Sequence, residues 1–536
     1  MKYLERDDIQ GIVTNGYGKF EAAYGLYRIS DAVRARCWLD SISDKVSSAD
    51  PEAENQRQGF RLQIAFTYPG LGKLGLDEHA FADVSAEFIE PRDLRSHRQR
   101  VLQEFEKSGP QHWNWGGDQD GKEAVHILLA LFAEDRRKLE ELFDELVPGS
   151  IDSGLERIKD VHYTNRLPGG KEHFGFRDGI SQPAIVDGDR RPVDAVSAGE
   201  FLFGYENEYG CYPAMPATRD NPDFGLNGTF LVARQLEQNV PKFWQDTMAA
   251  VNEDEKRARL LASRRVGRWP NGAPLIFAPR QETLLLAKEN EFGYGKDPFG
   301  KRCPIGAHVR RANPRDSLAI SQDDPTREVR RHRIVRRGRT YGEAIDGAFS
   351  DDGDINIDKL KSAESGGRGL FFICLNTDIG RQFEFILQTW VNNPKFAGGY
   401  EEVDPLFKVD RTARNEREDQ EPALPNLDIA TLDIGADAGG VVSTAGSDWK
   451  SVYTGAARSD VADGSDPKRP SARHYIRVRG GGYFFLPGLK AIRYLAQLGE
   501  QQSDRYNDPA SDALEKIPPN EDFHTERLVR ALTDKV

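Results

Sequence analysis

Apolar positions along the chain follow two periods, and the alternation between them predicts an α+β fold. Gln10 to Thr14 and Ala22 to Ile29 read as strands, and Asp31 to Ile42 reads as a helix opened by the Ser30-Asp31 cap signal. Phe60 to Tyr68 alternates apolar and polar residues like a half-buried strand. Val125 to Phe132 is an apolar strand followed by the helical period of Glu134 to Leu146. That order is a βαββαβ-like half. A similar order returns later, with a strand at Gly228 to Arg234 and a helix at Val240 to Asn252 started by Pro241. Strands are predicted at His332 to Arg336 and Leu370 to Leu375. From Asp378 to Val391, Ile379, Phe383, Ile386, Leu387 and Trp390 fall on one side of an amphipathic helix. Tyr475 to Val478 and Gly482 to Phe485 read as strands, and Pro487 to Leu498 as a closing helix.

The pattern divides the chain into an N-terminal half at 1–155, a connecting segment at 156–225 and a C-terminal half at 226–536. The stretch 411–469, rich in Asp, Gly, Ala and Ser with weak periodicity, reads as a surface insertion. With 7 Trp, 17 Tyr and 28 Phe in 536 residues, the chain can fill substantial cores and lacks the composition of a disordered protein. Its 73 basic and 86 acidic side chains leave a net charge of −13, which argues against a nonspecific polyanion binder. Cys37, Cys211, Cys303 and Cys374 show neither zinc spacing nor a disulfide framework, so free buried thiols are expected. The first ten residues carry no apolar export signal or twin-arginine pattern, and no apolar run is long enough to span a bilayer. The expectation is a cytoplasmic protein without a membrane or nucleic-acid partner.

Three segments carry candidate chemistry. In Phe174-Gly175-Phe176-Arg177-Asp178-Gly179-Ile180-Ser181-Gln182-Pro183, two glycines bracket an aspartate, as in a turn that holds a carboxylate toward a cavity. An ordinary Asx turn would read the same way. In Cys303-Pro304-Ile305-Gly306-Ala307-His308-Val309-Arg310-Arg311-Ala312-Asn313-Pro314-Arg315, one histidine is preceded by small residues and followed by arginines. A core histidine is one reading. The other is a haem site, which needs a neutral imidazole on one face and cations near two propionates. The third segment places seven arginines between Arg327 and Arg339. Most are expected to be solvated, with at least one, in the strand-like Ile334-Val335-Arg336 context, pointing inward.

Together these segments resemble the dye-decolourising (DyP-type) haem peroxidases, in the same chain order. The matches are a GxxDG motif at Gly175 to Gly179, AH-x-R-x-x-NPR around His308, and I-V-R-R-G-x-x-Y-G around Arg336. Gly369-Leu370-Phe371-Phe372, Gln382-Phe383-Glu384-Phe385, Asp404-Pro405-Leu406 and Gly480 to Pro487 extend the match over nearly the whole chain. The resemblance implies two ferredoxin-like halves, antiparallel sheets with peripheral helices, and one non-covalent haem b in the second half. It implies reduction of hydrogen peroxide through an oxoferryl intermediate, with one-electron oxidation of dyes, phenols and similar reductants. By the same resemblance His308 is the proximal iron ligand, Asp404 the acceptor of its Nδ1–H, and Asp178 and Arg336 the distal acid/base and cation. Leu370 and Phe372 form an apolar wall and Arg315 meets a propionate. Tyr341 and Trp390 are candidates for relaying electrons to the surface, with core packing as the alternative. A non-catalytic haem carrier is the rival function, disfavoured because it needs no distal acid/base. A homo-oligomer stays open.

Overall fold

The computed structural model describes residues 2–56, 59–89, 95–117, 121–189, 194–350, 354–398, 403–407 and 475–506. The expected insertion at 411–469 lies outside them. Among the described residues ten strands form one antiparallel sheet: β1 (Glu21–Ile29), β2 (Phe60–Phe66), β3 (Ile127–Ala133), β4 (Leu155–Arg157), β5 (His162–Asn165), β6 (Thr229–Gln238), β7 (Val335–Arg336), β8 (Arg339–Tyr341), β9 (Gly369–Asn376) and β10 (Ile476–Leu486). Eight of them run in the order β1-β3-β2-β10-β6-β9-β8-β5 and return to β1, so the sheet closes on itself. Two antiparallel halves are thus joined edge to edge. One seam is the single pair Phe485 and Phe66, and the other is two pairs between β8 and β5.

Period-two alternation decides what each strand shows to either side. Tyr24, Leu26, Leu128, Ala130, Phe132, Leu231, Ala233, Phe371, Ile373 and Phe484 pack together inside the ring, with Tyr24 stacked on Phe371 at 4.2 Å. On the outer side of the first half, residues such as Leu129, Leu131, Ile64 and Phe66 are covered by α1 (Ala32–Ser43) and α2 (Arg136–Leu146). Asp31 and Asp135 cap these helices by accepting from the Arg34 and Lys138 amides. The closing helix, Leu489–Tyr506, also joins this layer and lies against α1, although its sequence position puts it with the second half. In the second half, Val240–Ala249 and Glu255–Val266 form a separate apolar cluster with Phe174 and Phe176.

Several local expectations change. Gln10 to Thr14 is a short 3-10 turn at Gly11–Val13 rather than a strand. The predicted pair of late strands is one strand, β10, with a bulge between Val478 and Gly480 that the glycine run permits. The segment after β9 is helical but widened and underwound to a π-helix, with Glu384 N–H donating to Ile379 and Asn392 N–H to Leu387, five residues back in each case. All four cysteines are free, but Cys37 and Cys211 are exposed and only Cys303 and Cys374 are buried. No helix among the described residues is long and apolar enough to cross a membrane.

Candidate haem site

A cavity of about 330 Å³ lies against the outer face of the second half of the ring. The residues pointing away from the ring interior build its floor: Arg234, Leu236 and Gln238 on β6, Leu370 and Phe372 on β9, and Ile476 and Val478 on β10. The same alternation that buries Phe371 and Ile373 in the ring turns Leu370 and Phe372 toward the cavity. Asp178, His308, Arg315 and Arg336 line it as well.

His308 is the first residue of a five-residue helix, His308–Ala312. Its Nδ1 lies 2.9 Å from Asp404 Oδ2, and Phe407 stacks beside the ring at 5.7 Å. Asp404 has no exposed surface, and its other oxygen accepts from the Leu406 and Phe407 amides at 2.9 and 3.1 Å. Burial alone would raise the Asp404 pKa. The charge and hydrogen bond of His308, the charge of Arg311 and the Leu406 amide outweigh that, so the group is held below the usual carboxylate range. The imidazole is oriented with Nδ1 toward a carboxylate, and Nε2 makes no hydrogen bond among the described residues.

Asp178 sits in the expected turn, where Gly175 and Gly179 adopt φ of +98° and +77°. A Cβ at Gly175 would meet Ile355 at 2.9 Å, so the first glycine is required by space as well as backbone. The turn is fixed from beneath by three consecutive buried side chains. Lys171 donates to the Gly175 and Pro270 carbonyls, Glu172 accepts from the Phe174 and Phe176 amides, and His173 Nε2 meets the Tyr341 carbonyl. Arg336 reaches the turn from β7, its guanidinium 2.9 Å from Asp178 Oδ1, while its amide donates to Gln182. Asp178 is 41% exposed because its carboxylate faces the cavity. Partial burial raises its pKa, but the Arg336 charge and the Gly179 amide outweigh it and hold the group below the ordinary carboxylate value.

The arginines sort themselves differently from the sequence reading. Arg310 and Arg311, which follow His308 in the same segment as Arg315, do not line the cavity. Arg310 binds Asp297 and the Cys303 carbonyl, and Arg311 binds the Trp390 and Asn393 carbonyls, so both bolt the His308 helix to its surroundings. Of the run from Arg327 to Arg339, expected to be mostly solvated, six are engaged with protein groups and Arg327 is exposed. Arg337 donates to the Ile12 and Val13 carbonyls, away from the cavity, which leaves Arg336 as the arginine of that pair beside Asp178. Arg315 does face the cavity, and the sequence reading missed its companion Arg268. Both donate to Asn290 Oδ1 and both lie over the Phe292 ring. Neither has a carboxylate within ion-pair distance among the described residues. Burial, then the like charge of Arg315, pushes the Arg268 pKa down to about 10. Arg315 also adopts φ +54°, a strained backbone for a residue with a side chain. Arg268 precedes a Trp-Pro-Asn-Gly turn, and nothing in that local pattern distinguishes it from a structural arginine.

Tyr341 and Trp390 do not line the cavity. Trp390 is buried at 5% exposure, edge-on to His332 and Phe385, so it is not a surface residue. The Tyr341 phenol is also largely sequestered, and burial raises its pKa.

No family model matches the chain. It is 28% identical to a multifunctional dye peroxidase of Amycolatopsis sp., over 91% of this chain and 95% of that one. It is 29% identical to a dye-decolorizing peroxidase of Auricularia auricula-judae, over 91% and 86% respectively. The crystal structure of a fungal DyP-type peroxidase from Auricularia auricula-judae superposes with a TM-score of 0.68 at 23% identity, covering 92% of this chain and all of that one. Over nine-tenths of its length the chain is similar to dye-decolourising peroxidases. It is therefore a haem peroxidase, and the cavity can be tested against haem b. The donor set fits. An imidazole with one nitrogen anchored offers the other to iron, the β9 wall is apolar, and two buried cations lacking carboxylate partners suit two propionates.

Proposed function

We propose that His308 holds the haem iron, that Asp404 fixes and strengthens that ligand, and that Arg268 and Arg315 receive the propionates. The bound haem supplies the redox-active iron that takes two oxidising equivalents from hydrogen peroxide and passes them on one at a time. Asp404, anionic and fully buried, draws the Nδ1 proton toward itself and makes the imidazole a stronger donor.

Asp178 is the acid/base. As a carboxylate it removes the proton from one peroxide oxygen and returns it to the other, which leaves as water. Arg336, fixed at 2.9 Å from that carboxylate, stabilises the negative charge that develops on the departing oxygen. Leu370 and Phe372 supply no competing proton donor and keep that volume apolar. The observation that carries this reading is the convergence of an anchored imidazole and an aspartate–arginine pair on one cavity. A carrier needs the first but not the second.

The relatives are named for dyes, and dyes, phenols and similar one-electron donors are the proposed reducing substrates here. An absorption spectrum of the haem-loaded protein before and after one equivalent of hydrogen peroxide tests the reading. A shifted spectrum that returns on adding a phenol is expected, and an unchanged spectrum overturns it.

A further inference from the structure

Beside the cavity, away from His308, lies a buried chain of charges and aromatic rings that the peroxide step does not use. The Tyr483 hydroxyl, on β10, donates to Glu384 Oε1 at 2.7 Å and accepts from Arg234 Nη2 at 3.4 Å. Glu384 is 3% exposed, and its second oxygen is paired with Arg98. Arg234 is itself paired with Glu104 at 3.2 Å, so the charges are matched. Ring contacts lead from this tyrosine to the cavity wall: Phe383 lies 6.1 Å from Tyr483, and Phe372 6.3 Å from Phe383. In the other direction the Arg234 guanidinium bridges the faces of Tyr483 and the half-buried Trp113, at 5.1 and 5.5 Å.

We propose that Tyr483 is a redox-active relay residue for the peroxidase reaction, with Glu384 as its proton acceptor and Trp113 as the point where electrons from bulky donors enter. The inference rests on the peroxidase reading above. In the forward step Tyr483 gives one electron toward the peroxide-oxidised cofactor and its phenolic proton to Glu384 Oε1. The O–H bond breaks, a carboxylic acid forms, and a neutral phenoxyl radical remains with its oxygen still hydrogen-bonded by Arg234. In the return step an external donor at Trp113 supplies one electron, and Glu384 returns the proton.

The geometry separates the two rings. A buried phenol cannot be oxidised without shedding its proton, because the radical cation would sit uncompensated at low dielectric. Tyr483 has a carboxylate at hydrogen-bond distance, and burial of Glu384 raises its proton affinity to about pH 7. Trp113 donates its indole N–H to the Ser108 carbonyl, which cannot take a proton, so the oxidising equivalent rests on the tyrosine. Neither Tyr341 nor Trp390 has a carboxylate hydrogen-bonded to its side chain among the described residues.

The test is electron paramagnetic resonance of the haem-loaded full chain, frozen within seconds of adding hydrogen peroxide without a donor. The wild type grown on ring-deuterated tyrosine should show a narrowed neutral tyrosyl signal. Y483F, which removes only the hydroxyl, should lose most of that signal while its absorption change with peroxide persists. E384Q keeps a hydrogen-bond acceptor but no base, and should cut the radical yield at least tenfold. An unchanged tyrosyl signal in Y483F overturns the relay and leaves the peroxidase reading intact. No optical response of the wild type to peroxide overturns both.

Discussion

Replacing Asp404 with Asn changes one oxygen to an amide nitrogen at the centre of the proximal side, and the structure dictates which one. Oδ1 accepts from the Leu406 and Phe407 amides, so an asparagine must keep its carbonyl there and turn its NH₂ toward His308. That NH₂ faces an imidazole nitrogen that donates in the wild type. To avoid two opposed donors the ring must move its proton to Nε2, the atom needed by iron, or rotate away. The cost can be estimated in two ways. A lost charge-assisted hydrogen bond in a buried site is worth about 1.5–3 kcal/mol, and removal of a partner behind a metal-bound histidine typically lowers affinity about 10–100-fold. Both centre near ~2 kcal/mol, which at ~1.4 kcal/mol per decade is about 30-fold weaker haem binding. Titrating apoprotein with haem and following the Soret band measures this directly. The reduction potential should rise, because the ligand loses its anionic partner. Affinity within twofold of wild type with an unshifted potential would refute the argument, since it would mean that Asp404 does not govern the imidazole.

His308→Ala should abolish stable haem binding, checked by the same titration. Arg336→Leu should slow the reaction with peroxide about 100- to 1,000-fold in stopped flow, whereas Arg337→Leu should leave that rate and lower Tm, because its partners are the Ile12 and Val13 carbonyls. Trp390→Phe should cost roughly 0.5–3 kcal/mol of stability and slow small phenols and large dyes alike; a selective loss with dyes would restore it as a relay. Acidity acts on rate and stability in opposite ways. The lowered pKa of Asp178 keeps it a carboxylate through and below the ordinary aspartate range, so the peroxide rate should hold across that range and fall only in more acidic solution, a limb that Asp178→Asn removes. His126, His162 and His173 are buried and held neutral down to about 4, so their contribution is complete above pH 6.5 and is lost as pH falls toward 4. Glu172 and Glu384, raised to about 7, act in the opposite sense between about 4.5 and 7, as do the raised Glu104 and Glu200, whereas His332 adds to the histidines. Tm should therefore fall between about pH 4.5 and 4, where the glutamates have no more to gain and the histidines still lose, while the peroxide rate does not.

Strand-by-strand alternation made most of the sheet legible, because the residues that fill the ring and those that floor the cavity take turns along β6, β9 and β10. Closure of the ring was not legible. It depends on pairings between residues more than a hundred positions apart, such as Thr340 with Asn165, which leave no local period. In the site, the histidine, the turn aspartate and the wall residues stood out because they sit in ordered motifs. The arginines did not sort correctly, since a guanidinium on a carbonyl and one waiting for a carboxylate look the same in sequence. Arg310, Arg311 and Arg268 show that difference, and only the fold assigns it. Trp390 stayed open between an electron relay and core packing because helical period gives a face but not what covers it.

The closed ring has a colloidal consequence. An open antiparallel sheet offers two rows of unpaired amides and carbonyls on which another copy can build, and long apolar strands such as β3 would make potent templates. Here both flanks of β3 are taken by β1 and β2, and each of the eight ring strands has a neighbour on either side. Strand-to-strand growth would first have to open a seam, and the single Phe485–Phe66 pair is the shorter of the two. Conditions that loosen that contact should therefore convert a well-dispersed protein into an aggregating one before its helices melt.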